Sequence, residues 1–262
     1  MTDMNGSFTW YGHSCVELRT PGGKVLIFDP WFGNPTSPRS ADDVKQCDVM
    51  LVSHGHFDHI GSAPRDVTNA DALKIARATK PTWICIHELS LWLERQLDGT
   101  GVEIIGMNKG GTVEARGLKV TMVHADHSGG DWLVAGEPMM GWAKEVAGPM
   151  YLGEPVGFVI ELEDGMRVLF QGDTDVFGDM QLLGEMLKPD VAFLPIGGHY
   201  TMGPAGAARA AKLWGVRAVV PIHYGTFPIL AGTPDQLRDE LRALGASIEV
   251  IAPERGVATP LP

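Results

Sequence analysis

The residues best suited to chemistry stand together in Ser53-His54-Gly55-His56-Phe57-Asp58-His59, where three imidazoles and one carboxylate fall within six residues. Imidazole nitrogen and carboxylate oxygen are the ligand set that suits zinc and its first-row neighbours. Four such groups this close cannot all face one ion without crowding, so the stretch reads as serving two ions. On an extended backbone His54 and His56 point to the same side, whereas Asp58 and His59 lie past the turn and can reach a second position. A plain surface histidine cluster is the alternative. The apolar run Val49-Met50-Leu51-Val52 directly before the motif argues against it, because the polar residues follow a buried-strand pattern without a break.

Such ligands need rigid elements behind them, and the chain supplies strand patterns that end in candidate ligands. Val49 to Val52 precedes His54, Val168 to Phe170 precedes Gly172-Asp173-Thr174, Val191 to Ile196 precedes His199, and Ala218 to Ile222 precedes His223. A packed sheet fixes its strand ends relative to one another, so these residues are expected to converge on one edge. Asp173 can bridge two ions, and Gly172 lets the backbone approach closely; a turn or helix-cap aspartate is the bland reading.

The remaining elements read as α/β. Phe8 to Tyr11, Cys15 to Arg19 and Lys24 to Phe28 form an antiparallel meander with a turn at Pro21-Gly22-Gly23. A helix spans Asn69 to Thr79, a strand Thr82 to Ile86, and a second helix His87 to Leu97, with Leu89, Leu93 and Leu97 stacked on one face. Strands at 102–105, 112–115 and 118–123 follow, the last running into His124-Ala125-Asp126-His127. After residue 155 the alternation repeats: strands at 156–162, 166–170, 191–194 and 218–222, helices at 179–187 and 204–214. Thr233-Pro234-Asp235-Gln236 is a capping box that opens a final helix carrying Leu237, Leu241 and Leu244. No linker interrupts these 262 residues, so one domain over 1–262 is expected.

Composition narrows the function classes. A hydrophobic share of 44% allows an ample core, and no run approaches the ~20 apolar residues that span a bilayer. Met1 to Ser7 has no basic segment leading into an apolar stretch, and Cys15, Cys47 and Cys85 include no CxxC pair. A reducing cytoplasm is the expected compartment. The net charge of −11 repels nucleic acid and anionic lipid, so neither is an expected partner.

The motifs together resemble the metallo-β-lactamase fold superfamily, whose His-x-His-x-Asp-His signature is His54 to His59 here. The likeness extends to a branch of metal-dependent hydrolases similar to L-ascorbate-6-phosphate lactonase. Its motifs are similar to Tyr11-Gly12-His13-Ser14-Cys15, Ile27-Phe28-Asp29-Pro30-Trp31, Gly172-Asp173-Thr174, Leu194 to Gly198, Thr201-Met202-Gly203-Pro204 and Pro221 to Pro228. The resemblance implies a four-layer αβ/βα sandwich with two divalent ions at one edge. Zinc is the first candidate; manganese, nickel and iron(II) are the others. It implies His54, His56 and a later histidine on the first ion, Asp58, His59 and His223 on the second, and Asp173 between them. The later histidine is His127 by its Ala125-Asp126-His127-Ser128 context, which leaves His124 as a strand residue. Two departures stand out. Phe170-Gln171 replaces a frequent histidine before Gly172, and Gly198-His199 replaces a usual Asp-Asn pair.

Asp58, His13 and His199 are the catalytic candidates. For each histidine, a satisfied core or surface role is the ordinary reading. Two such ions would lower the pKa of a shared water to about 7 and polarise a substrate carbonyl. Less the carboxylates of Asp58 and Asp173 and one hydroxide, they leave about +1 to attract an anion. No Gly-x-Ser-x-Gly elbow or Walker loop appears. The expected activity is hydrolysis of a small, anionic ester or lactone. The rivals are phosphodiester cleavage, iron-based oxidation and a module that binds metal without turnover. His13, His199 or Tyr200 would protonate the leaving oxygen or hold the oxyanion. Residues 131–155, with Trp132 and Trp142 among Met and Gly, read as a cover over the site or as a homo-oligomer interface, and Trp31 as part of the pocket.

Overall fold

The computed structural model describes residues 6–62, 69–131 and 150–262, which form two mixed seven-stranded sheets flanked by helices. The first sheet takes β1 (Ser7–Trp10), β2 (Val16–Arg19), β3 (Val25–Phe28), β4 (Val49–Leu51), β5 (Thr82–Ile86) and β6 (Glu103–Met107). The second takes β7 (Thr112–Ala115), β8 (Leu118–His124), β11 (Val156–Glu161), β12 (Arg167–Phe170), β13 (Val191–Pro195), β14 (Ala218–Ile222) and β15 (Glu249–Val250). Between β8 and β11 stand the paired two-residue strands β9 (Gly130–Asp131) and β10 (Met150–Tyr151). The last strand, β16 (Ala258–Pro260), crosses to the first sheet and pairs antiparallel with β1.

Apolar residues on the facing sides of the sheets lock them together. Phe28 stacks on Phe170 with ring centroids 4.6 Å apart, and Phe8 meets Phe193 edge-on at 5.1 Å. Cutting one such fully buried ring back to alanine costs about 3–5 kcal/mol. The first sheet carries α2 (Asp71–Thr79) and α3 (His87–Gln96), whose Leu73, Leu89 and Leu93 are buried in the same core as its strands. Before them, α1 (Phe57–Ile60) is a single turn. On the second sheet, α4 (Met180–Leu187), α5 (Pro204–Trp214) and α6 (Pro234–Ala243) share a core with Leu169, Ala192, Leu194 and Val219. Pro204 opens α5 and Gly215 closes it at φ 69°, whereas the Thr233 hydroxyl accepts the Gln236 N–H at the start of α6.

Strand direction makes the site. β3, β4, β5 and β6 run parallel, as do β12, β13 and β14. Two antiparallel steps, β8 to β11 and β11 to β12, bring β8 into line with β12, and two more bring β1 into line with β3. The C-terminal ends of β1, β4, β8, β12 and β14 therefore deliver His13, His54, His127, Asp173 and His223 in turn. The backbone bends sharply after β1, β3 and β14, where His13, Asp29 and His223 have φ of 50°, 40° and 54°.

The expected elements appear within a residue or two of their bounds. Beyond the expected elements stand α1, which places Asp58 and His59 on a helical turn, the two-residue strands β9, β10 and β15, and β16. Of the expected cover at 131–155, residues 132–149, with Trp132 and Trp142, lie outside the described residues. No described helix is long and apolar enough to cross a membrane.

Candidate metal centre

Parallel β3 and β4 set Asp29 beside Ser53, and from that contact the ligand nitrogens are arranged. Asp29 Oδ1 accepts the Ser53 N–H at 2.7 Å, and Oδ2 accepts the Ser53 hydroxyl at 2.7 Å and His59 Nδ1 at 2.7 Å. Because a carboxylate only accepts, His59 must carry a hydrogen on Nδ1. The Ser53 hydroxyl gives its one hydrogen to Asp29, so His54 Nδ1, 2.9 Å away, donates to the Ser53 oxygen. Both rings are thereby held with Nε2 turned inward, the arrangement by which outer groups orient metal-binding histidines. His56 is held the opposite way round. Its Nε2 donates to the Gly130 carbonyl at 3.1 Å, which leaves Nδ1 bare and 2.8 Å from His54 Nε2. Two bare ring nitrogens at that separation repel one another unless a cation sits with them.

These residues fall into two groups that meet at Asp173. The ligand atoms of His54, His56 and His127 lie within 4.8 Å of one another, as do those of His13, Asp58, His59 and His223. Asp173 Oδ2 lies 3.2 Å from His59 Nε2, 3.0 Å from His223 Nε2 and 3.7 Å from His127 Nε2. The Thr174 hydroxyl accepts the Asp126 N–H at 2.9 Å and so ties the loop of His127 to that of Asp173. Gly172 is required here. Its φ is 66°, and a Cβ would lie 2.6 Å from that of Ser53.

The donor set fits divalent ions. Asp173 Oδ1 and His223 Nδ1 are buried without a hydrogen-bond partner, and His59 Nε2 and His223 Nε2 crowd onto the one oxygen Asp173 Oδ2. Leaving one such atom unsatisfied costs about 1–3 kcal/mol, which an ion would offset. Burial keeps His54 neutral, and His59 and His56 beside it reinforce this. Burial opposes ionisation of Asp173 and Asp58, but His223 and His59 around Asp173, and His59 and His13 around Asp58, outweigh it and hold both carboxyls well below their usual range. Burial also opposes a charge on His59. The carboxylates of Asp173, Asp29 and Asp58 overcome it and raise its pKa well above 6.5, so in the metal-free chain a proton holds the place that a cation would contest.

Other candidates stand apart. His124 is exposed at the end of β8, its ring edge-on to Phe177 at 4.8 Å, and it joins neither group. His199 is exposed after β13 with its ring 4.5 Å from that of Tyr200, and it too joins neither group. Trp31 is nearly buried, 5.0 Å edge-on to His13, and with Phe57 and the half-exposed Phe227 forms an aromatic wall on the His13 side of the centre. The contacts of Asp29, Ser53 and Thr226 were not anticipated. The signals for Asp29 are its place between the β3 pattern and Pro30 and its position in the Ile27-Phe28-Asp29-Pro30-Trp31 motif.

Comparison with known proteins agrees with this geometry. Residues 24–224 match the family described as Beta-lactamase superfamily domain. A UPF0173 metal-dependent hydrolase of Herpetosiphon aurantiacus is 41% identical over 261 residues, covering 98% of this chain and 99% of the relative. One from Myxococcus xanthus is 39% identical over 254 residues, 97% of this chain and 82% of the relative. Among solved structures, Igni18, a metallo hydrolase from Ignicoccus hospitalis, superposes with a TM-score of 0.79 at 32% identity, covering 98% of this chain and 99% of its own.

Proposed function

We propose, since the chain belongs to the metallo-β-lactamase superfamily as one of its metal-dependent hydrolases, that it binds two divalent ions and hydrolyses the carbonyl of a small carboxylic ester or lactone. The observation that carries the reading is the pair of ligand groups meeting at Asp173, whose Oδ1 is buried without a partner while the inward ring nitrogens of His59 and His223 converge on its Oδ2. His54, His56 and His127 would hold one ion, Asp58, His59 and His223 the other, and Asp173 both. The chemistry such ions supply is activation of water at neutral pH and polarisation of the substrate oxygen, so no protein nucleophile is needed.

The chain's own groups do the rest. Asp29 and Ser53 hold one hydrogen of each ring on Nδ1, so the inward Nε2 of His54 is free for ligation and that of His59 becomes free once a cation displaces its extra proton. Two divalent charges against Asp58 and Asp173 leave the centre positive and favour a substrate with an anionic group, while the surrounding charge of −11 disfavours long polyanions. We propose His199, on the loop after β13, for proton delivery at the leaving oxygen; its exposed ring stands outside both ligand groups, so it would act on bound substrate and not on an ion. The test is a panel run with zinc-, manganese- and nickel-loaded protein: lactones including sugar-acid lactone phosphates, carboxylic esters, bis-aryl phosphodiesters and single-stranded RNA. Turnover of lactones or esters that vanishes in Asp173→Ala supports the reading. Turnover confined to phosphodiesters would replace it with the phosphodiesterase reading.

A further inference from the structure

We infer that His13 is a positioning residue for the second ion: it holds Asp58 by one carboxylate oxygen and is itself fixed by Thr226, and it is not a ligand. The inference rests on the dinuclear reading above and adds a role that this reading leaves open, since His13 stands among the atoms that could surround an ion.

The hydrogen bonds decide between ligand and support. His13 is fully buried, with Nε2 3.0 Å from Asp58 Oδ2 and Nδ1 3.0 Å from the Thr226 hydroxyl. The Asp58 carboxylate only accepts, so the hydrogen of a neutral His13 ring must be on Nε2. That atom then has no lone pair to offer a metal. The lone pair on Nδ1 points at the Thr226 hydroxyl, which donates to it. The other oxygen of Asp58, Oδ1, faces His59 Nε2 at 4.0 Å and remains available for the ion that His59 would share. A carboxylate with one oxygen engaged cannot rotate freely to clamp the ion through both, so His13 also selects how Asp58 binds.

The main chain adds a second restraint. The His13 carbonyl accepts the Trp10 indole N–H at 2.8 Å and the His223 N–H at 2.8 Å, and the His13 and His223 rings stack at a tilt with centroids 3.9 Å apart. His13 thus touches Asp58 from the first half of the chain and His223 from the second. The two halves of the second ion's ligand set are registered against one side chain.

The experiment is zinc titration against a chromophoric chelator for the parent, His13→Ala, His13→Gln and Thr226→Val, with cadmium-113 and nitrogen-15 NMR of histidine-labelled parent. The parent is expected to bind two ions. His13→Ala should keep the first affinity and weaken the second by about 10- to 100-fold, the usual effect of losing an outer partner. Glutamine, which places an amide N–H near the position of Nε2, should restore most of it, and Thr226→Val should lose part. In the cadmium-loaded parent, nitrogens of His59 and His223 should couple to the metal, whereas His13 should show a protonated Nε2 and no coupling. Coupling at His13, or a His13→Ala protein that binds both ions as the parent does, would overturn the inference alone. A parent that never binds a second ion would overturn the dinuclear reading and this inference with it. The NMR outcome needs no variant, so misfolding of His13→Ala does not shield the inference.

Discussion

Replacing Asp29 by asparagine changes one atom and should disable both ions. The carboxylate receives three hydrogens, from Ser53 N, the Ser53 hydroxyl and His59 Nδ1, each at 2.7 Å. An asparagine that keeps its oxygen on Ser53 N turns its amide hydrogens toward the other two. In the metal-free protein, loss of the Asp29 charge lets His59 release its extra proton and the network reverse: Ser53 donates to His54 Nδ1, His59 accepts at Nδ1, and the remaining hydrogen of each ring sits on Nε2. The loss in folding stability is then only the difference between a charge-assisted and a neutral hydrogen bond, about 1 kcal/mol. Metal binding has no such escape. An ion on Nε2 returns the hydrogen to Nδ1: at His59 it meets an amide hydrogen head-on, and at His54 it takes the Ser53 oxygen and leaves the Ser53 hydroxyl hydrogen without its acceptor, so each ion is affected through one ring. Outer-partner losses of this kind cost 10- to 100-fold, so each affinity should fall by about 1.4–2.8 kcal/mol. Chelator competition reads both affinities, and a urea midpoint of the metal-free protein reads the fold. An asparagine variant that binds two ions as tightly as the parent would refute the tautomer argument.

Three further outcomes follow from the same geometry. Asp173→Ala should lose the second ion and nearly all turnover by elemental analysis and assay, whereas His124→Ala, exposed and outside both groups, should keep both. Burial, with His223 beside it, lowers the His13 pKa from 6.5 to about 4; the depressed value means stability is present above 6.5 and lost as pH falls toward 4. In chelator, the parent should therefore lose roughly 3 kcal/mol more than His13→Gln over that interval, read as the difference of their denaturation curves. Phe227→Ala, which opens the wall beside Trp31, should raise KM for aryl esters several-fold more than for small alkyl esters at unchanged metal content.

Much of this molecule is legible in its sequence because strand and helix periods are long enough to read. The elements at 112–115, 204–214 and 218–222 match their expected bounds, since alternation, proline and glycine mark both ends. Ligand types were equally plain, because three imidazoles after a buried strand have few other uses. What escaped is held by distant partners. β16 is Ala-Thr-Pro, with no alternation to read, and exists because β1 offers it an edge. α1 is shorter than a helical period can reveal. Asp29 acts on Ser53 and His59, 24 and 30 positions away, and His13 meets Thr226 across 213 positions, so neither role leaves a local pattern. Choosing His127 over His124 needed a family motif, because both lie near the end of one strand.

The left-handed bends at His13, Asp29 and His223 carry a consequence for how this protein can evolve. Each side chain sits where glycine would be more at ease, at a backbone cost of about 1 kcal/mol or more. The reactive edge therefore holds part of the molecule's backbone strain, and it is the part that cannot be relieved without losing function. Lys80, Arg116 and Lys188 share the bend away from the metal centre and can yield to glycine without touching a ligand, whereas relief at His13, Asp29 and His223 would also remove groups that hold metal or its ligands. Thermostable variants that must stay active should instead arise on the outer helices, away from the strand ends.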